Sequence, residues 1–218
     1  MKSFAVIGCG RFGSSVAKTL FELGNKVLVV DEDPDTVEKI SKYATEAVEA
    51  NVKNEAELSR LNLNRYDVVI ISIGSNMESS ILSTLLVKEL GAKNIVAQAQ
   101  SELHGRILIR NGADKVIFPE MDMGVKVAHN LTANNVLEYV QLSPDLSIME
   151  FSILSNWDGK SISELKLRNK YGINVIAVKR QDEVIPSPEP DFILKHYDVL
   201  VIIGSEEKIK GLDFKSNG

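Results

Sequence analysis

The hexapeptide Gly8-Cys9-Gly10-Arg11-Phe12-Gly13 constrains this chain more than any other stretch, because of where it stands. It follows the short apolar run Phe4–Ile7 and opens the segment Gly13–Leu23, in which Val16, Ala17, Leu20 and Leu23 recur at helical spacing. Glycines so spaced between a strand and a helix let the chain turn tightly at Gly8. They bring bare backbone at Gly10 toward a pyrophosphate and allow close packing of helix on strand at Gly13. The helix N-terminus then offers unpaired N–H groups and a positive dipole end to phosphates. The second apolar run, Lys26–Asp31, ends in an acid 18 residues beyond Gly13. A carboxylate there accepts hydrogen bonds from ribose hydroxyls and repels a 2′-phosphate. The expectation is a Rossmann site for an adenine nucleotide, with the Arg11 guanidinium placed to grip a further phosphate.

The remaining pattern fits that start. Short β-branched runs at Ala47–Ala50, Val68–Ile73, Asn94–Ala97 and Lys115–Phe118 alternate with helical patterns at Thr36–Tyr43, Asn54–Leu61, Met77–Leu90 and Glu102–Asn111. Such alternation predicts an α/β domain over residues 1–122, a doubly wound parallel sheet of six strands joined by crossover helices. Met123–Val140 reads as one more helix, with Val125, Val127, Ala128, Leu131, Val136, Leu137 and Val140 on one face, suited to linking domains or pairing with a second copy. From residue 141 to 210 the pattern changes to short strands at Ile148–Leu154, Val175–Lys179 and Val199–Ile203, with a helix-like stretch at Ser163–Tyr171. This predicts a small C-terminal α+β domain. The cluster Pro186-Ser187-Pro188-Glu189-Pro190 marks a turn or edge, because proline lacks the donor that a central strand needs. Residues 211–218 read as a tail.

Composition excludes several function classes. The chain has 218 residues, 44% of them hydrophobic, enough for two separate cores. Its formal net charge of −5 comes from interspersed acids and bases, so no basic face advertises nucleic acid or anionic lipid. The single cysteine, Cys9, supports neither an internal disulfide nor a CxxC pair, which suits a reducing cytoplasm. The opening apolar run is short and broken by glycines, which predicts a soluble chain with no signal peptide and no membrane insertion. The histidines, His104, His129 and His196, are scattered and read as exposed or capping rather than catalytic. There is no Gly-x-Ser-x-Gly elbow, Walker lysine or paired carboxylate. These features favour a ligand-binding protein, while the same glycines and Asp31 would also suit an NAD-dependent oxidoreductase or an NAD(H)-binding redox sensor.

Several motifs in order, GCGRFG at Gly8–Gly13, Ala97-Gln98-Ala99-Gln100 and Pro119-Glu120-Met121-Asp122-Met123-Gly124, resemble the RCK (TrkA-N) domains of Ktr-type potassium transporters. Arg168-Asn169-Lys170-Tyr171-Gly172-Ile173-Asn174 and Ser187-Pro188-Glu189-Pro190 are similar to the matching parts of the companion RCK_C (TrkA-C) domain, and the likeness covers about residues 3–210. The resemblance implies a regulatory subunit without enzymatic activity, held at the cytoplasmic face of the membrane by a potassium channel subunit of the KtrB/TrkH type. In this family homodimers assemble into an octameric ring, and ATP and ADP compete for the Rossmann site with ATP favouring conduction. A binding module for another transporter, such as an efflux antiporter, would share the fold.

Position by position, the resemblance implies that Gly8, Gly10 and Gly13 surround the phosphates and Asp31 the ribose, with Phe12 among the cofactor-binding residues. Asn51 and the Ile73-Gly74 turn would hold the adenosine, and Gln98 would lie near the nucleotide. Arg11 would reach the γ-phosphate bound in the neighbouring subunit, and Glu120 would help hold Mg²⁺ or Ca²⁺ at the dimer interface. In the C-terminal domain, Ile162, Arg168, Asn174, Ile176 and Pro190 match positions that bind cyclic di-AMP between two copies. The chain departs from the family pattern at Gln98, where relatives carry lysine, and at Ser163, where they place isoleucine.

Overall fold

The computed structural model describes residues 1–74, 76–132, 136–143, 145–205 and 208, with residues 129, 130, 132, 136–139 and 141 described by backbone alone. The expected tail and the His129 side chain lie outside the described residues. The chain divides into two compact units, Met1–Met121 and Asp122–Gly218.

In the first unit, β1 (Ser3–Ile7), β2 (Lys26–Asp31), β3 (Glu46–Glu49), β4 (Val68–Ile71), β5 (Ile95–Gln98) and β6 (Lys115–Ile117) alternate with α1 (Arg11–Glu22), α2 (Pro34–Ser41), α3 (Glu55–Arg60), α4 (Met77–Glu89) and α5 (Glu102–Arg110). The strands form one parallel sheet in the order β3-β2-β1-β4-β5-β6. The order reverses between β1 and β4, so the crevice outside the carboxyl ends of these two strands is where a ligand fits. Both faces of the sheet are covered. Ala5 and Ile7 pack in one core with Leu28, Val30, Val69 and Ile71, and Val6 packs in the other with Val27, Val29 and Ile70. This is why β2 reads Val-Leu-Val-Val without alternation: a central parallel strand is buried on both sides. Each such side chain contributes about 1.5–3 kcal/mol by leaving water.

A further helix, α6 (Pro119–Thr132), starts in the first unit. The single helix expected over Met123–Val140 is not formed: α6 ends at Thr132, and β7 (Val136–Ser143) follows, paired antiparallel with β8 (Leu146–Ser152). The apolar residues at 136, 137 and 140 suit either a helical or a strand period, and pairing with β8 decides for the strand by satisfying its backbone groups. In α6 itself Met123, Val125, Val127 and Leu131 are exposed.

The second unit continues with α7 (Ile162–Leu165), α8 (Leu167–Tyr171), β9 (Asn174–Arg180), β10 (Glu183–Pro186) and β11 (Val199–Gly204). Its sheet runs β10-β9-β11-β8-β7, all antiparallel. The helix expected at Ser163–Tyr171 is broken at Lys166, which takes φ 49°, so that Leu165 and Leu167 can both turn into the core with Phe151, Trp157, Val178 and Ile202. Pro186 ends the edge strand β10, and Ser187 turns the chain with φ 48°.

Candidate functional site

Where β1 ends, the chain takes φ +88° at Gly8, which a residue with a Cβ resists, and the Gly8 amide donates to the Val30 carbonyl at 2.8 Å. A Cβ on Gly13 would lie 2.0 Å from the Gly8 carbonyl oxygen, so α1 crosses the end of β1 closely enough to require glycine. Gly10 differs, because a Cβ there would meet nothing within 4 Å, and the space above it is open to a ligand.

The N-termini of the helices set this loop apart. α2, α3, α4 and α5 each start under a side-chain cap: Asp33, Asn54, Asn76 and Ser101 accept from first-turn amides. α1 starts at Gly10 with no side-chain cap. Its first-turn N–H groups lack the partner that a helix start ordinarily receives, and an anion supplies one.

The Asp31 carboxylate stands beside this end. Its Oδ2 accepts from the Cys9 amide at 2.6 Å and its Oδ1 from the Asp33 amide at 3.0 Å, each oxygen keeping lone-pair capacity for a ribose hydroxyl. Cys9 is buried, and burial, reinforced by the Asp31 charge, pushes its thiol up to about 12, so it stays protonated at neutral pH.

A cleft of about 630 Å³ opens over these groups, lined by Gly8, Gly10, Arg11, Phe12, Asp31, Ile73, Gly74, Gln98 and Glu120 among the residues expected from sequence. Gly13 lies beneath it as packing. Asn51 lines an adjoining depression with Glu32, Glu49 and Glu57. The lining also includes Glu32, Thr36, Val52, Lys53, Ser72, Asn76 and Ser79, which sequence reasoning did not single out. Asn76 carried a legible signal, a capping residue just after a strand. Ser72 and Lys53 carried none, because only the crossing of β4 and the loop after β3 bring them to the wall.

Gln98 is 3% exposed; its Nε2 donates to Glu120 Oε1 at 3.0 Å and its Oε1 accepts from Ser72 Oγ at 3.1 Å. Glu120 sits in the first turn of α6. Among the described residues no group of three or more His, Cys, Asp or Glu side chains could hold a metal ion. A cation at Glu120 would therefore take its other ligands from phosphate or water, which hard divalent ions accept.

His104, expected to be exposed or capping, is instead fully buried on α5. Its amide is capped by Ser101 Oγ, its Nδ1 accepts from the Gln100 amide at 3.3 Å, and burial lowers its pKa. It does not line the cleft. His196 is exposed, edge-on to Tyr197.

In the second unit, the Ser163 amide donates to the Pro190 carbonyl at 2.8 Å, bringing the start of α7 beside the proline loop. Asn174 and Ile176 are exposed on β9, where the register against β11 slips between Val201 and Ile202 and leaves Ile176 as the extra residue. Arg168 is exposed on α8.

Residues 4–119 match the TrkA-N domain and residues 148–213 the TrkA-C domain. The chain belongs to the TrkA-N/TrkA-C family. It is 44% identical over 209 residues to Ktr system potassium uptake protein A of Bacillus subtilis, covering 96% of this chain and 94% of that one. It is 38% identical over 208 residues to the protein of the same name from Vibrio alginolyticus, covering 95% and 94%. Among solved structures, the GsuK RCK domain superposes with a TM-score of 0.69 at 18% identity, covering all of this chain and 48% of that one, a likeness of fold. Among the described residues of this TrkA-N/TrkA-C chain, no helix is long and apolar enough to cross a membrane.

Proposed function

We propose that this protein is a non-catalytic, nucleotide-gated regulatory subunit of a potassium uptake system. The observation that carries the reading is the uncapped start of α1 between Gly10 and Asp31, where α2, α3, α4 and α5 each start under a side-chain cap. That end accepts the phosphates, Asp31 the ribose, and Ile73, Gly74 and Val52 line the cleft for the base. The relatives named Ktr system potassium uptake proteins, matched over nearly their whole length, support potassium transport as the process.

Gating requires only that two nucleotides differ in affinity for two arrangements of the assembly. Arg11, exposed at the first residue of α1, supplies the difference by a charge-assisted contact with the γ-phosphate held by a neighbouring copy, which ADP lacks. Glu120 joins that phosphate through Mg²⁺ or Ca²⁺. The exposed apolar residues of α6 pair with a second copy, dimers close into an octameric ring, and the ring docks on a membrane channel subunit at the cytoplasmic face. Cyclic di-AMP binds the second unit between two copies, with Arg168 on a phosphate and Ile162, Ile176 and Pro190 flanking adenine beside Asn174.

The test is calorimetric titration with ATP, ADP and NADH, in the wild type and in Arg11→Ala, with Mg²⁺ present. ATP and ADP should both bind, and the substitution should weaken ATP selectively. Binding of NADH alone, unchanged in Arg11→Ala, would replace this reading with a dinucleotide sensor or oxidoreductase.

A further inference from the structure

We propose that one corner of the first unit, where β1 and β2 begin and α1 ends, is a docking surface for a layer of anionic lipid headgroups. This surface lies apart from the nucleotide cleft, and either reading can fail alone.

Along the chain, lysines and acids are interspersed, so the sequence by itself displays no basic face. The parallel topology sorts them, because every strand of the first sheet starts at the same edge. The Lys26 amide donates to the Lys2 carbonyl at 3.0 Å, the Lys2 amide to Asn25 Oδ1 at 3.3 Å, and the Asn25 amide to the Leu20 carbonyl at 3.2 Å. Two strand starts and the end of α1 are thereby held together. Lys18 of α1 and Lys42, which follows α2, add their ammonium groups 5.0 and 5.2 Å from the centre of the Tyr43 ring. All four lysines are exposed. Glu22, 3.7 Å from Lys18, and Glu46, at the start of β3, offset only part of this charge.

Lysines gather at helix ends because the dipole there favours cations. That origin does not account for this corner: α1 carries no base in its last turn, and Lys2 and Lys26 stand at strand starts.

Two apolar residues decide what kind of anion fits. Leu23, which closes α1, is 72% exposed, and Phe21, three residues past Lys18 on the same side of the helix, is 37% exposed. A phosphate backbone gives such side chains nothing to bury against, whereas the boundary between headgroups and acyl chains takes lysine and leucine together. The cleft edge repels the same layer, since Asp31, Glu32 and Glu120 stand there against Arg11 and Lys53. An anionic surface therefore holds the unit with its cleft turned away.

The experiment is cosedimentation of the full chain with vesicles of phosphatidylcholine alone or mixed with phosphatidylglycerol, at low and high salt. The wild type should bind the mixed vesicles only, and less as salt rises. Each lysine near such a surface strengthens partition roughly fivefold, so a chain carrying Lys2→Gln, Lys26→Gln and Lys42→Gln should bind about a hundredfold more weakly. Leu23→Ser, which keeps every charge, should lose about tenfold. Thermal melts check folding, and ATP affinity should match the wild type in both variants, whose changes lie at the edge opposite the cleft. No binding to the mixed vesicles, variants that keep wild-type partition, or binding to RNA in place of vesicles overturns the docking surface. A wild type that binds the mixed vesicles but no ATP supports this surface while the nucleotide reading falls.

Discussion

The backbone amide of Cys9 donates to Asp31 Oδ2 at 2.6 Å, so the carboxylate proposed to receive a ribose also pins the glycine loop to the end of β2. Asp31 thereby shapes the site before any ligand arrives. Asp31→Ala should weaken ATP and ADP alike, by about tenfold or more, since it removes both the ribose acceptor and the partner of a buried amide. Calorimetry on the purified variant decides this, and wild-type affinities for both nucleotides would exclude Asp31 from the site.

Two glycines of the same loop should fail differently. Gly13→Ala places a methyl 2.0 Å from the Gly8 carbonyl oxygen, a backbone atom that cannot swing away, and should destabilise the fold by about 1–3 kcal/mol. Gly10→Ala meets nothing within 4 Å, and the φ of −63° there suits alanine. It should melt near the wild type yet bind nucleotide poorly, because the methyl occupies the phosphate's approach. Melting curves and titrations of the two variants separate packing from binding.

The buried His104 should make the first unit acid-sensitive well above the carboxylate range. Burial lowers its pKa, and Nε2 has no hydrogen-bond partner among the described residues. With the folded pKa below the unfolded value of about 6.5, the unfolded chain takes up the proton first as pH falls. The contribution is intact above that pH and declines below it, by at most about 1.4 kcal/mol per pH unit. Melting temperature from pH 7.5 down to 5.5 should fall more steeply for the wild type than for His104→Gln, which cannot titrate. Parallel slopes would show that His104 does not set this dependence.

In the second unit, Arg180 holds the buried Asp198 bidentately, Nε to Oδ1 at 2.8 Å and Nη2 to Oδ2 at 2.7 Å, while the Lys195 amide adds 2.8 Å to Oδ2. Burial alone would raise the Asp198 carboxyl; these hydrogen bonds and the Arg180 charge outweigh it and hold the pKa below the ordinary value. The stability it supplies is present above the unfolded pKa near 3.9 and is lost as pH falls through the lower folded value. Arg180→Leu leaves that carboxylate unpaired and should cost about 3–5 kcal/mol, with part restored by Asp198→Leu in the same chain. Denaturant unfolding of the single and double variants checks it, and a neutral Arg180→Leu would show the pair to be dispensable.

The parallel sheet was legible because its evidence is local: unbroken Val-Leu-Val-Val runs, glycines at fixed offsets and capping residues before helices each report on a few neighbouring residues. The second unit was less legible for the same reason. β7 and β10 are edge strands with no strong pattern of their own, defined by pairing with β8 and β9. Lys166 breaks a good helical pattern because two leucines flanking it both reach one core.

Sequence alone determined the glycine loop and its acid, Gly8 to Gly13 and Asp31, since a turn, a helix start and a strand end are short-range events whose spacing is written along the chain. Only the tertiary structure joined Ser72, Gln98 and Glu120, buried His104, and turned residues 136–143 into a strand. Each of those outcomes depends on which distant segment supplies a hydrogen-bond partner or takes the place of water, and that is decided when the strands pair and the helices cover them.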